Sequence, residues 1–164
     1  MTASLPDAAT LIDALAAAIA PGFDPDTRIV GIHTGGVWVA ERLHALLRSP
    51  HPIGQLDISF YRDDFSRIGL HPQVKPSNLP YDLENRTLML VDDVLHTGRT
   101  IRAAMNELFD YGRPASIKLA VLVDRGGREL PIRPDFAGLV LDVPAHQNIN
   151  LSRLDDGHLS LSIA

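Results

Sequence analysis

The chain has 164 residues, of which 45% are hydrophobic and 21% charged, with a net charge of −5 and no cysteine. These values describe one ordinary globular domain over residues 1–164; they exclude disulfides and thiolate metal sites, agree with a reducing cytoplasm, and leave no apolar run near the roughly 18 residues of a membrane span. A negative chain is not drawn wholesale to nucleic acid, although 13 of its 15 basic residues are arginine, a bias that suits bidentate phosphate contacts and would also follow from genomic base composition.

The opening segment "MTASLPDAATLIDALAAAIA" carries acids where a secretory signal would be basic, and Pro6 with Asp7 starts an Ala-rich amphipathic helix. "RIVGIHT" (28–34) reads as a short buried strand, followed by Gly35 and Gly36 and a helical stretch "VWVAERLHALL". "LDISFYRDD" (56–64) alternates as another strand. Residues 66–82, with three prolines and little periodicity, form a long loop of the kind that serves as a lid. "TLMLVDD" is a continuous apolar run ending in acids, as for a central parallel strand covered on both faces. Ile101, Ala104, Met105, Leu108 and Phe109 then fall at helical spacing until Gly112 and Pro114, and "SIKLAVLVD" (116–124) and "FAGLVLDV" read as further strands. Strands alternating with helices give an α/β fold, a central mainly parallel sheet flanked by helices. Ligands of such sheets bind beyond the carboxyl ends of the strands. Segments 33–36, 61–64, 92–100 and 124–128 each follow a strand and therefore converge on one edge.

The sharpest pattern is "VDDVLHTGRT" (91–100). Gly98, flanked by the small Thr97 and Thr100, lets backbone N–H groups crowd round an anion as a helix begins, and the helix terminus adds partial positive charge. A Walker loop is excluded because no glycine-rich stretch ends in Lys-Ser or Lys-Thr, and the GxGxxG spacing of a dinucleotide site is absent too. Asp92 and Asp93 then need a reason to stand beside an anion site. Ionised aspartate is a pure acceptor, so the pair suits a ligand that presents hydroxyls as well as phosphate. A ribose 5-phosphate has that shape, and if it also carries a Mg²⁺ pyrophosphate the acids help balance the metal. The plainer alternative is that the acids cap the turn.

"LMLVDDVLHTGRT" resembles the phosphoribosyl-pyrophosphate (PRPP) motif of type I phosphoribosyltransferases. The wider chain, from about residue 28 to 134, is similar to the PyrR branch, pyrimidine operon attenuation regulators that also act as uracil phosphoribosyltransferases; "FYRDDFS" and "VDRGGRELPI" point to that branch. The resemblance implies the type I fold, with a small hood over the base and a flexible lid. It implies that Asp92 and Asp93 accept from the ribose hydroxyls, and that Thr97, Gly98 and Thr100, with the amides of His96 and Arg99, hold the 5-phosphate. Thr34, Gly35 and Gly36 would form the pyrophosphate loop. Tyr61, Arg62 and the residues to about 80 would form the lid, with Arg62 on the pyrophosphate, and Asp124 and Arg125 would lie near the base. It further implies PRPP, uracil and UMP as ligands, Mg²⁺ held mainly by the substrate near Asp92 and Asp93, and a homodimer or larger assembly. Two positions depart from the family pattern. Gly35 stands where many members carry a basic residue, and His96 where purine-specific relatives have Asp and this branch often has Tyr. The tail after residue 134 departs as well.

Two activities follow from the resemblance: uracil phosphoribosyl transfer, and UMP-sensing RNA binding to a pyrimidine operon leader. Charge favours the enzyme; the lack of Asp at position 96 counts against a purine transferase. His96 is either a proton-transfer group or only an amide donor. The seven histidines suggest no zinc site, since His33, His44 and His51 sit on different elements. Trp38 is expected in the core or at a subunit contact. Asp63 and Asp64 either line the site or are solvated, and Arg99 and Arg102 either meet phosphate or RNA or face solvent.

Overall fold

The computed structural model describes residues 4–58 and 77–164. Helix α1 (Ala8–Ile19) starts after Asp7, whose extended backbone makes it the N-cap, and buries Leu11, Ile12, Leu15 and Ile19, spaced for one helical face. Strand β1 (Arg28–Ile32) is wholly buried and leads through Thr34 into α2 (Gly35–Leu46). Strands β2 (Gly54–Leu56), β3 (Thr87–Leu95), β4 (Ser116–Asp124) and β5 (Phe136–Val140) complete the sheet, with helix α3 (Arg99–Tyr111) between β3 and β4. All neighbours are parallel, in the order β2-β1-β3-β4-β5. Helices α1 and α2 pack one face around Leu15, Leu43, Met89 and Leu122, while α3 covers the other around Leu90, Ile101, Leu108 and Val121. Each such buried aliphatic side chain contributes about 1.5–3 kcal/mol. Cover on both faces is why residues 88–92 and 119–124 are unbroken runs of buried positions. No helix among the described residues is long and apolar enough to cross a membrane.

β4 matches its expected span to the residue. β1 stops at Ile32, short of Thr34, because the chain turns there into the cap of α2; the His33–Thr34 peptide is cis. Of the strand expected over 56–64, only the beginning falls in the described residues, and β2 starts two residues earlier. Residues 59–76 lie outside the described residues, and with them Tyr61, Arg62, Asp63, Asp64 and most of the expected lid. The stem on either side is joined by an antiparallel bridge between Gln55 and Asn78, with reciprocal N–H···O bonds of 2.8 Å. In α3, Ile101, Ala104 and Leu108 are buried, but Phe109 is 57% exposed and Met105 only half-buried. The stripe facing the sheet is narrower than the apolar pattern suggested.

The tail forms an antiparallel hairpin, β6 (Ile149–Arg153) and β7 (Leu159–Ile163). Its leucines and isoleucines extend the α1/α2 side of the core. Arg42 on α2 donates to the Gly157 carbonyl at 3.2 Å, and Arg153 stacks 4.9 Å from the centre of the Trp38 ring while facing Glu41 at 3.8 Å. Trp38 is thus half-buried under the hairpin rather than in the core.

Candidate functional site

In this strand order the direction of winding reverses between β1 and β3, and a parallel sheet opens its binding crevice at such a switch point. The loop after β1 carries Thr34, Gly35 and Gly36, and β3 ends in Asp92 and Asp93. The two meet without room to spare. A Cβ on Gly35 would lie 2.1 Å from Asp93 Oδ2 and 2.7 Å from its Cγ, and one on Gly36 would lie 2.6 Å from the Val91 carbonyl oxygen and 3.2 Å from Asp92 Oδ1. The glycine pair therefore brings backbone to the carboxylates where any side chain would intervene. Asp92 is 5% exposed and Asp93 half-buried. Asp92 Oδ1 accepts from the Asp93 amide at 2.9 Å, and Asp93 Oδ1 accepts from the Val94 amide at 2.8 Å, which leaves Asp93 Oδ2 against the glycine loop.

The turn after β3 holds the threonine segment. Gly98 has φ of 95° and is the N-cap of α3, so the chain enters the helix through a left-handed residue that only glycine adopts without strain. Thr97 Oγ1 accepts from the Arg99 amide at 3.2 Å, and the Arg99 side chain turns outward to Glu129 at 3.2 Å. Thr100 opens the helix and is exposed. Half-buried His96 lies under Gly127, where a Cβ would come within 2.8 Å of its Nε2. Burial first, then the positive charges of Arg125 and Arg128, hold the His96 imidazolium below its usual range despite the opposing Glu129.

Asp124 and Arg125 sit at the end of β4 with different duties. Arg125 is 4% exposed, and its guanidinium points into the hood: it donates to the carbonyls of Gln147 at 2.8 Å, Pro144 at 3.1 Å and Val143 at 3.4 Å. Asp124 accepts from the Gly126 amide at 3.1 Å and from Arg128 Nη2 at 2.6 Å. Burial alone would raise its carboxyl, but the hydrogen bonds from Arg128 and Gly126 and the Arg128 charge outweigh that and hold it below the usual carboxylate range. Arg128 lies in the quoted "VDRGGRELPI", and nothing in the spacing says where either of the two arginines of that segment points. A cavity of about 440 Å³ runs along this segment from Gly126 to Arg133, and neither Asp92 nor Asp93 lines it. Among the described residues no group of three or more His, Asp or Glu could hold a metal. Asp93 Oδ2 is the carboxylate oxygen that faces the glycine loop.

Comparison with known proteins agrees with this geometry. The phosphoribosyl transferase domain matches residues 4–150. The chain is 55% identical over 153 residues to the Bifunctional protein PyrR of Pseudomonas fluorescens (strain Pf-5), covering 91% of each. It is 56% identical to that of Pseudomonas entomophila, over 91% of this chain and 89% of the relative. Among solved structures, a hypoxanthine phosphoribosyltransferase from Staphylococcus aureus aligns with a TM-score of 0.66 at 18% identity, covering 89% of this chain and 80% of that one. A hypoxanthine-guanine-xanthine phosphoribosyltransferase gives 0.64 at 21% identity, over 87% and 80%. At those identities the two structures speak for the fold alone. Identity above one half, sustained across nine-tenths of both chains on this fold, makes the chain a member of the phosphoribosyltransferase family and, within it, of the PyrR proteins.

Proposed function

We propose that the chain is a uracil phosphoribosyltransferase, converting PRPP and uracil to UMP and pyrophosphate. The observation that carries this reading is the contact between the Gly35–Gly36 loop and the Asp92–Asp93 pair at the β1/β3 switch point, with the Thr97–Gly98 turn beside it. In the reaction the ribose C1–O bond to pyrophosphate breaks, the C1–N1 bond to uracil forms, and the N1 proton leaves. Asp92 and Asp93 accept from the ribose 2- and 3-hydroxyls, and the turn at 96–100 takes the 5-phosphate on its amides and threonine hydroxyls. Thr34, Gly35 and Gly36 offer backbone to the pyrophosphate. Bound Mg²⁺ supplies charge neutralisation on the departing pyrophosphate. Arg62 is assigned to the same group, and the segment that carries it to the exclusion of water. Asp124 faces the base, while Arg125 acts from a distance by holding the 143–147 loop of the hood.

The test is UMP formation followed by ultraviolet absorbance with PRPP, uracil and Mg²⁺, with hypoxanthine and orotate as parallel substrates. Turnover confined to uracil and lost in the Asp92→Ala/Asp93→Ala variant is the expected result. A folded protein that turns over no base would reverse the reading. The name of the relatives, Bifunctional protein PyrR, favours a second activity: binding of pyrimidine operon leader RNA, read by a steep fall of affinity with salt. A cytoplasmic homodimer or larger assembly belongs to the same proposal, with sedimentation as its measurement.

A further inference from the structure

The segment after β4 grips the phosphate turn from behind. Arg128 Nη1 donates to the His96 carbonyl at 2.9 Å, its Nε to the Ile132 carbonyl at 2.9 Å, and its Nη2 to Asp124 Oδ2 at 2.6 Å. One planar guanidinium thus ties together the end of β4, its own segment and the first carbonyl of the turn. The next carbonyl, that of Thr97, is taken by the amides of Glu129 at 2.9 Å and Leu130 at 3.2 Å. Leu130 and Ile132 also close over Gly98, 3.3–3.4 Å from where its Cβ would be.

The consequence lies in the peptide planes. A trans peptide points the carbonyl of one residue and the N–H of the next in opposite directions. With the His96 and Thr97 carbonyls held outward, the N–H groups of Thr97 and Gly98 are turned the other way. Neither N–H donates to a protein acceptor among the described residues. A turn left to itself would flip these peptides at little cost; the grip fixes both donors for an anion before it arrives. We infer that Arg128 is a positioning residue for the 5-phosphate: it touches no ligand, and it sets phosphate affinity by orienting the amides of Thr97 and Gly98 through the His96 carbonyl. The guanidinium fork is what the role needs, since an ammonium group cannot meet acceptors on three sides in one plane.

This rests on the assignment of the 96–100 turn to a ribose 5-phosphate, and the experiment separates the two. Wild type, R128K and R128A are titrated calorimetrically with UMP and with uridine, which lacks only the phosphate, after circular dichroism and melting establish folding. Wild type that binds UMP no tighter than uridine would remove the turn assignment and this inference with it. Given a wild-type preference for UMP, the expected result is a loss of UMP affinity of about tenfold to hundredfold in R128A, and a smaller loss in R128K, with a much smaller change for uridine that reflects only the Arg128 bond to Asp124. Equal losses for UMP and uridine would mark Arg128 as merely structural, and full recovery in R128K would assign the effect to charge; either overturns the inference. Should R128A not fold, R128K alone decides, by selective loss of UMP or by no loss.

Discussion

Gly35 is the position at which the geometry makes its strongest demand. Replacing it with alanine adds one methyl, which would sit 2.1 Å from Asp93 Oδ2, 2.7 Å from its Cγ and 3.1 Å from its Cβ. Three successive atoms of the side chain are approached, so moving the carboxylate tip is not enough. The whole side chain must rotate, and the 2.8 Å bond from the Val94 amide is lost. Overpacking of this kind costs about 1–3 kcal/mol, while Gly→Ala at a helical position returns about 0.5–1 kcal/mol. The net effect on folding is small, at most a few degrees in melting temperature. Turnover is different, because on the proposed assignment each catalytic cycle needs Asp93 in place on the sugar. About 2 kcal/mol to restore it is roughly a 30-fold loss in kcat/KM for PRPP. The assay is initial-rate kinetics of UMP formation with PRPP varied at saturating uracil, with thermal melting of the same preparations. A melting temperature within a few degrees of wild type combined with unchanged PRPP kinetics would refute the reasoning, since Asp93 would then have moved without consequence.

Four further outcomes are expected. Arg125→Met strips three hood carbonyls of their donor, which costs about 2 kcal/mol and lowers the melting temperature by about 4–8 °C, while the affinity for PRPP changes little; equal damage to PRPP binding would place Arg125 in the site itself. The depressed Asp124 carboxyl contributes stability that is present above about pH 4, the unfolded value, and is lost as pH falls through its lower folded value; acid melts of Asp124→Asn should lack that component. His96 has its folded pKa below the unfolded one, so from about pH 6.5 downward the unfolded chain takes up the proton first and stability falls with acidification. His96→Gln should flatten the melting curve between neutral and mildly acidic pH, and an unaltered slope would remove His96 as its source. Arg62→Ala should lower kcat far more than it raises the KM for uracil, and parallel losses would take Arg62 off the leaving group.

What the sequence makes legible follows from where a local pattern has one physical meaning. The short apolar run within "SIKLAVLVD", rich in Val, Ile and Leu and bounded by polar residues, reads as a strand, and β4 matches it. The acids and the threonine turn are a contiguous motif, so their proximity needs no tertiary knowledge. The Gly35–Asp93 contact is another matter: the residues are far apart in sequence, and only the β1–β3 pairing brings them together. The same limit hid Arg128. Arg125 and Arg128 carry equal charge, and the direction each takes is decided by carbonyls contributed from 143–147 for the first and from 96 and 132 for the second. The tail hairpin, by contrast, had a readable signal in Asp156–Gly157 between alternating leucines, the pattern of a tight hairpin turn. Phe109 fits the helical period yet is exposed, because periodicity marks a face without fixing how much of it the sheet covers.

The proposed ligand gives a reason for two carboxylates to stand beside the turn at 96–100. Each has an oxygen on the backbone amide of the residue that follows it, and both pack on the glycine loop of α2. The positive charges stand at the far side, where Arg128 backs the turn and Arg125 the hood. The two acids thus lie toward β1 and the Arg128–Asp124 ion pair with Arg125 toward β4, with the amides of residues 97 and 98 between. A simple anion would be held at one end only. On the proposed reading the ligand carries phosphate to the amides of residues 97 and 98 and hydroxyls, with a metal-neutralised leaving group, toward Asp92 and Asp93, and in that orientation the acids would favour binding because what they meet is donor or cation and not bare phosphate.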